Sequence, residues 1–374
     1  MCHRKFQGCA VSGTMSILED IGDDSDQERP IAVMPLSRIA PECKIEIGEF
    51  VVFPAGSTDL GELGAIPNRT LEQVDDGSGV ISIDGQVHRE VCSDLTGFNI
   101  DVLEQSPLIV FRIGPRFDFH WERFLAANHS DDVALLHRLN EHAEHALDIV
   151  RFGCCRFDLP ETLPGRVGSW DGSGGYLGAL VYSPIEHESY LIAGPGAAPT
   201  AVVLGIGLDL SRPPSRCPPA ADSGEVGAIA RHGLSLYRDV LEANSETGRF
   251  VQAMTLLEYL ACPDGCKNTE EVADELAPHI AAHSESAERF RARFREVNSL
   301  RVNGKQLGYR ARIVHYGQHL ESIVPNKSDR CALFKQLQGW AFSVLTDMLE
   351  RETCTWEEFV SLRRKRALRT GDRQ

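Results

Sequence analysis

The chain has 374 residues, of which 42% are hydrophobic and 25% are charged. This composition is typical of a globular protein and excludes a fibrous or mostly disordered one, and the length predicts two domains. The formal net charge of −16 excludes a protein that coats nucleic acid over its whole surface, because such binding depends on clustered Lys and Arg. Any contact with nucleic acid is therefore expected at a local basic patch.

Cysteine usage and hydropathy indicate the compartment. The eleven cysteines show no regular spacing, which favours reduced thiols over a disulfide framework. No apolar run has the length of a signal peptide or reaches the roughly 18 residues of a membrane span, so we expect a cytoplasmic protein that does not bind a membrane. No cofactor and no metal are expected, because the histidines of "HRLNEHAEHAL" lack a zinc-protease spacing and are predicted to lie on an exposed helix face.

The N-terminal half begins with an acidic segment and continues with strand signals. Residues 19–29, "EDIGDDSDQER", lack apolar periodicity, so we expect residues 1–29 to be disordered. Residues 30–210 are predicted to form a mixed α/β domain, in which one helical pattern runs from Ser130 to Val150. The segments with strand patterns are "CKIEIGEFVVF", "GVISIDGQVHREV", "SPLIVFRIG", "YLGALVYS", "SYLIAG" and "TAVVLGIGLDL".

The C-terminal half has a helical pattern. Four prolines in residues 211–222, "SRPPSRCPPAAD", predict a stiff linker, because proline interrupts both helices and sheets. From 223 to 362 apolar residues recur every three or four positions, as in "RFVQAMTLLEYLA" and from Cys331 to Leu349, which predicts a helical bundle. The fold class is therefore α+β. The basic residues 363–374 are expected to form a solvated tail.

One segment of the predicted bundle carries a recognisable motif. "GYRARIVHYGQ", residues 308–318, contains Arg310, Arg312 and His315 about fifty residues after Leu257 and Glu258. In this arrangement residues 225–350 resemble the HEPN superfamily (higher eukaryote and prokaryote nucleotide-binding), and within it the Apea-like group. The signature of that group runs roughly tyrosine, two residues, arginine, serine, lysine, two aliphatics, histidine, glycine. Two departures from it matter most, since Ala311 replaces the usual small polar residue and Tyr316 separates His315 from Gly317.

The resemblance implies a metal-independent endoribonuclease whose partner is RNA. Such cleavage requires a base for the 2′-hydroxyl proton, an acid for the departing 5′-oxygen and positive charge at the phosphate. His315 and Arg310 are the implied catalytic residues, because histidine transfers protons near neutral pH and arginine presents a planar fork of donors to phosphate.

Four further residues are candidates for supporting roles. Arg312 lies three positions before His315, on the same helix face, where it would supply a phosphate contact. Glu258 would either orient His315 or pair with Arg310 across the bundle. Tyr309 and Tyr316 would either stack on a base or pack in the core or an interface.

Helix geometry bears on how such a site is completed. Positions five apart lie about 140° around a helix, so Arg310 and His315 do not share a face. In the resembled family a two-fold homodimer brings two motifs together, and we expect a homodimer here. Family members often act in antiviral defence or toxin-like growth arrest, so the N-terminal domain would sense a trigger or partner protein, or restrain the nuclease.

Two alternatives to the nuclease remain open from the sequence. In the first, the bundle is a non-catalytic HEPN module that dimerises and binds RNA, a nucleotide or a partner protein. In the second, the N-terminal domain carries the main activity as a ligand-binding domain and the bundle only dimerises.

Overall fold

The computed structural model describes residues 15–21, 27–64, 87–172, 174–196, 207–210, 214, 216–219 and 223–371. The chain forms two compact units, of which the first comprises Met1–Leu147 with Pro164–Arg216 and the second comprises Asp148–Leu163 with Cys217–Gln374. The first unit combines a six-stranded sheet with helices and the second is mainly helical, which confirms the predicted α+β class. Within the described ranges, no helix is long and apolar enough to span a membrane.

The first unit is built on a six-stranded antiparallel sheet. Its elements are α1 (Ile17–Asp20), β1 (Ile31–Pro35), β2 (Ile39–Pro41), β3 (Ile45–Ile47), β4 (Phe50–Phe53), α2 (Val87–Thr96), α3 (Ile100–Gln105), β5 (Leu108–Arg112), α4 (Trp121–Leu125), α5 (His129–Cys154), β6 (Tyr176–Ser183), β7 (Glu188–Pro195) and β8 (Leu208–Leu210). The strand order is β3-β4-β5-β1-β6-β7, and β2 pairs separately with β8 in parallel. The last residues of α5 belong to the second unit.

Strand β1 lies inside this sheet and is buried on both faces. Its sequence IAVMP contains no charged residue, and Val33 pairs with Val110 on β5 and with Leu180 on β6. These three side chains belong to one core cluster with Ile17 of α1. Such apolar runs are typical of strands that have structure on both sides.

Helix α5 packs against the sheet residues Phe50 and Phe111 through His142. The His142 ring lies 4.7 Å from the Phe50 ring and 5.0 Å from the Phe111 ring, and the residue is only 8% exposed. The expectation of an exposed histidine face on this helix is therefore wrong for His142. His142 lies three positions after Leu139 and four before Ala146, both fully buried, so the apolar spacing of α5 includes this position in the buried face.

The second unit is a helical bundle with one small hairpin. Its elements are α6 (Glu225–Glu242), α7 (Glu246–Ala261), α8 (Thr269–Ile280), α9 (Ser284–Asn298), β9 (Arg301–Val302), β10 (Lys305–Gln306), α10 (Tyr309–Tyr316), α11 (Leu320–Ile323), α12 (Lys327–Leu349) and α13 (Trp356–Gly371). Helices α6, α7 and α8 pack against α12. The apolar stripe of α12 is buried, and its Trp340 contacts Phe290 and Phe294 of α9.

A segment between the two parts of the first unit belongs to the bundle instead. Residues 148–163 were predicted within the N-terminal domain, but the structure places them in the second unit. Phe157 is fully buried there with its ring 4.6 Å from that of Tyr237, and Asp148 pairs with Arg238 at 3.0 Å. These contacts join residues eighty and ninety positions apart, so no local pattern indicates them.

The structure corrects two expectations for the N-terminal region. Part of the segment predicted as disordered is ordered, because Ile17 of α1 is fully buried and the Ser16 hydroxyl donates to Glu62; residues 1–14 and 22–26 lie outside the described residues. Of the predicted strand "GVISIDGQVHREV", residues 79–86 also lie outside them, and the rest begins helix α2. Arg89 of α2 pairs at 2.7 Å with Asp132 of α5, and both are buried.

The predicted linker and tail have different outcomes. Most of residues 211–222 lie outside the described residues, as do 200–206 of a predicted strand, and the two units divide between Arg216 and Cys217. The expected tail is part of helix α13 as far as Gly371, and most of its described side chains are exposed to solvent as expected; residues 372–374 lie outside the described residues. Arg363 is 2% exposed and donates to carbonyl oxygens at the end of α7, which need donors because a helix cannot satisfy them.

Candidate active site on helix α10

The motif segment forms the single short helix α10, with a glycine at each end. A Cβ atom on Gly308 would lie 2.5 Å from the Asn298 carbonyl oxygen, so only glycine fits where α10 begins against the end of α9. The N–H groups of Leu307 and Gly308 both donate to the Leu300 carbonyl, at 2.7 and 3.0 Å. Gly317 ends the helix with φ of +65°, a conformation that glycine adopts without strain. The start and end of α10 are thus fixed by backbone contacts.

Arg310 and Glu258 meet across the bundle. Arg310 Nη2 lies 2.8 Å from Glu258 Oε2, and the side chains are 31% and 29% exposed. Asn298 Nδ2 donates to the other carboxylate oxygen of Glu258 at 3.4 Å. Of the two roles considered for Glu258, the structure therefore shows the pairing with Arg310. Arg310 Nε is buried and has no hydrogen-bond partner within the described ranges.

His315 occupies the last turn of α10 and is exposed. It makes no hydrogen bond or ion pair with any residue that the structure describes. Its neighbours Val314 and Tyr316 are also exposed, by 55% and 64%, although both are large apolar or aromatic residues. Arg310 thus pairs with α7 while His315 is open to solvent, and a single bundle leaves the imidazole accessible to a ligand or a second chain.

Arg312 adds positive charge near the C-terminal end of the same helix. It is partly buried, and its Nε donates to Gln318 Oε1 at 2.9 Å. Arg312 lies three positions before His315, which places both on one face. The Gln318 contact holds the guanidinium without neutralising it.

Tyr309 belongs to a charged network at the start of α10. Its hydroxyl donates to Glu296 Oε1 at 3.0 Å, and Arg293 Nη1 lies 2.6 Å from Glu296 Oε2. Burial and the hydrogen bond to Glu296 raise the pKa of Tyr309. Burial alone would raise the pKa of Glu296, but hydrogen bonds from Arg293 and Tyr309 outweigh it and lower that pKa. Tyr309 is therefore a fixed, hydrogen-bonded residue, whereas Tyr316 is exposed.

The sequence alone did not identify three residues of this region. Arg293 and Glu296 are three apart in one helix, a spacing that favours ion pairs, but the surrounding run "ERFRARFREVNSLR" contains several equivalent arginines. Nothing in the sequence marks Asn298, whose burial and contact with Glu258 depend on the packing of α9 beside α7.

Comparisons of this chain with protein-family models, with curated proteins and with solved structures found no match.

Proposed function

We propose that the protein is a metal-independent endoribonuclease of the HEPN type. The ion pair between Arg310 and Glu258 carries the proposal, because it fixes an arginine at the start of the helix whose other end exposes His315. The resemblance to the Apea-like motif implies Arg310 and His315 as the catalytic residues. Arg312 supplies a second guanidinium on the His315 face.

The residues present suit cleavage by attack of the 2′-hydroxyl on the adjacent phosphorus. The hydroxyl loses its proton to a base, the bond from phosphorus to the 5′-oxygen breaks, and an acid protonates that oxygen. The products are a 2′,3′-cyclic phosphate and a 5′-hydroxyl. Imidazole suits the proton transfers, while Arg310 and Arg312 offset the charge that develops on the phosphate oxygens.

One exposed imidazole does not supply both a base and an acid in the same step. A second copy of the chain would contribute another His315, and the exposed Val314 and Tyr316 on either side of it favour a self-complementary contact. The proposal therefore includes a homodimer through the bundle. Size-exclusion chromatography with light scattering measures the mass, and a stable monomer at micromolar concentration would contradict this part.

The proposed biological setting is antiviral defence or toxin-like growth arrest in the cytoplasm, with the first unit sensing a trigger or restraining the nuclease. The net charge of −16 is consistent with a narrow basic site rather than general RNA binding. A specific observation favours a second candidate, a non-catalytic module that binds RNA, a nucleotide or a partner. Glu258 already neutralises Arg310, and Ala311 is buried at 7% exposure where the motif usually has a polar residue.

The two candidates differ in the fate of RNA. The purified full-length protein and its variants His315→Ala and Arg310→Ala are incubated with total RNA in EDTA, and the fragment ends are determined. The nuclease predicts 2′,3′-cyclic phosphate ends with the wild type only, because each variant lacks one part of the chemistry. The matched control His319→Ala, which removes an exposed histidine outside the motif, should cut as the wild type does. Binding of RNA without cutting by any of these proteins would select the binding module.

A further inference from the structure

An open cavity lies beside the start of α10, within the second unit. Its volume is about 550 Å³, and it is lined by α9, α10, the end of α11, the segment that follows α11, and α12. This volume falls within the range of small-molecule sites, and it exceeds that of a single nucleobase. Tyr309 lines the cavity and directly precedes Arg310. The Cα atoms of Tyr309 and His315 are about 9 Å apart along the helix.

The lining combines aliphatic and aromatic side chains with a few polar groups. Ile323, Val324 and Leu333 contribute aliphatic surface, and Tyr309 contributes an aromatic wall. The Tyr309 ring lies 5.8 Å from the Arg293 guanidinium carbon, so this wall is held in place. Aromatic and aliphatic surfaces of this kind bind planar bases.

The hydrogen bonds already present determine which polar groups remain for a ligand. Arg293 Nε donates to Gln336 Oε1 at 2.9 Å, which uses the acceptor end of this amide and leaves its NH₂ group as a donor. Asp329 also lines the cavity and is exposed. Its carboxylate makes no hydrogen bond or ion pair with any residue in the described part of the chain. The cavity thus presents an unpaired carboxylate and an amide donor.

These two groups are spaced to hold one ring system between them. Asp329 and Gln336 are seven residues apart on α12, so they lie on one face and about 10.5 Å apart along the helix. Ala332 and Leu333 lie between them on the same face. A purine with a hydrogen bond at each end spans such a gap, whereas a single pyrimidine ring is shorter.

We propose that this cavity binds a guanine base of the RNA substrate, next to the bond that is cut. Guanine carries two adjacent donors, N1–H and the N2 amino group, which match a carboxylate, and acceptors at O6 and N7, which match the Gln336 amide and Arg293. Adenine has only one amino donor beside an acceptor, so it makes one hydrogen bond with Asp329 where guanine makes two. The inference rests on the proposed nuclease function, and it assigns a substrate preference to the region beside that site.

Binding of guanosine 5′-monophosphate and adenosine 5′-monophosphate to the full-length protein tests the site without requiring cleavage. Isothermal titration calorimetry should show guanosine monophosphate binding about tenfold more tightly or better, which is the discrimination expected from a bidentate contact. Asp329→Asn should abolish this preference, because an amide is no longer a double acceptor. Asp264→Asn removes an exposed carboxylate away from the cavity and should leave the preference unchanged. Equal affinity for both nucleotides, or a preference that survives in Asp329→Asn, would overturn the proposal.

Cleavage of RNA oligonucleotides that contain one guanosine separates this inference from the nuclease proposal. If the wild type cuts next to guanosine and Asp329→Asn cuts at unselected positions, the result supports both the guanine site and the nuclease. Unselected cutting by the wild type, without preferential binding of guanosine monophosphate, overturns the guanine site and leaves the nuclease standing. Preferential binding of guanosine monophosphate without any cutting keeps the site and overturns the nuclease.

Discussion

Glu258 controls the direction of the Arg310 guanidinium. Its carboxylate lies 2.8 Å from Arg310 Nη2 and accepts a hydrogen bond from Asn298 Nδ2 at 3.4 Å, so the carboxylate is itself held between two helices. An arginine fixed in this way needs no reorganisation when charge develops on a nearby phosphate. Glu258 is therefore a positioning residue in the proposed nuclease, and it acts through Arg310.

We expect Glu258→Ala to reduce RNA cleavage by about 10- to 100-fold, the cost of a misplaced catalytic group. The loss should fall mainly on kcat rather than KM, because Arg310 acts on the transition state. Single-turnover and steady-state kinetics measure the two effects, and circular dichroism checks that the helices remain. Glu285→Ala, at an exposed position of α9, is the matched control. Unchanged cleavage by Glu258→Ala would show that Arg310 needs no such support.

His142 makes the stability of the first unit depend on pH. Burial, together with the positive charges of Arg116 and His145, lowers its pKa to about 3 from an ordinary value of 6.5. Phe50, Phe111 and Phe117 surround the ring, and Glu49 is the carboxylate that faces it, at 3.5 Å. The single negative charge does not offset the desolvation. The folded protein therefore holds this imidazole neutral under conditions where the unfolded chain protonates it.

The sign of the effect follows from proton binding. Above pH 6.5 residue 142 is neutral in both the folded and the unfolded protein, so it does not make the free energy of unfolding depend on pH. From pH 6.5 down to about 3 the unfolded protein binds a proton at this residue that the folded protein does not bind. We expect the free energy of unfolding to fall with decreasing pH in this window, by up to about 1.4 kcal/mol per pH unit. Urea unfolding of the wild type and of His142→Phe at pH 8, 7, 6 and 5 measures it.

The free energy of unfolding of His142→Phe should change less with pH than that of the wild type below pH 6.5. Above pH 7 the two proteins should show the same pH dependence. Phenylalanine suits the test because aromatic rings already surround this position. Equal slopes for both proteins between pH 6 and 5 would show that His142 is protonated in the folded state.

At the scale of elements, helix α13 is anchored through one buried arginine. Arg363 donates to the Leu260 and Ala261 carbonyls at 2.6 and 3.0 Å, and to His279 Nε2 at 2.8 Å. Its guanidinium carbon lies 4.9 Å from the centroids of the Trp356 and Phe359 rings of its own helix. The helix thus completes the hydrogen bonding at the C-terminal end of α7 while its own rings cover the charge.

We expect Arg363→Ala to destabilise the second unit by about 3–5 kcal/mol, because it leaves buried acceptors without donors. For a unit of this size the midpoint temperature would fall by roughly 10 °C. Arg364→Ala, one position along the same helix but exposed, should change the stability by less than about 0.5 kcal/mol. Differential scanning calorimetry of the three proteins measures both effects. Similar midpoints for the two variants would contradict an anchoring role for Arg363.

Elements with a clear apolar period were predictable from the sequence, and those held by charged contacts were not. The stripe of α12, which includes Leu337 and Trp340, is buried as its spacing indicates. Arg363, by contrast, stands in a run of basic residues that favours solvent, and its acceptors lie about a hundred positions earlier. In the site, the motif identified Arg310, but only the packing of α7 beside α10 shows that Glu258 pairs with Arg310 rather than orienting His315.

At the scale of the whole molecule, the second unit is not a continuous stretch of chain. Residues 148–163 supply Phe157, which is fully buried, and its carbonyl accepts from Arg249 Nη1 at 3.3 Å. The Cys155 carbonyl accepts from the Tyr237 hydroxyl at 3.3 Å and from Gln338 Nε2 at 2.9 Å. A cut in the predicted linker, at residues 211–222, therefore separates the bundle from part of its own core.

A fragment that starts at Cys217 should accordingly lack cooperative unfolding, because it loses a buried phenylalanine worth about 3–5 kcal/mol together with the hydrogen bonds around it. A synthetic peptide of residues 148–163, added in excess, should restore a cooperative transition, since a ligand that binds only the folded state stabilises it. Near-ultraviolet circular dichroism during urea unfolding measures the restoration. The same peptide with Phe157→Ala is the control and should restore little. If the fragment alone unfolded as cooperatively as the bundle does in the full chain, the segment 148–163 would be an attachment to the bundle rather than part of its core.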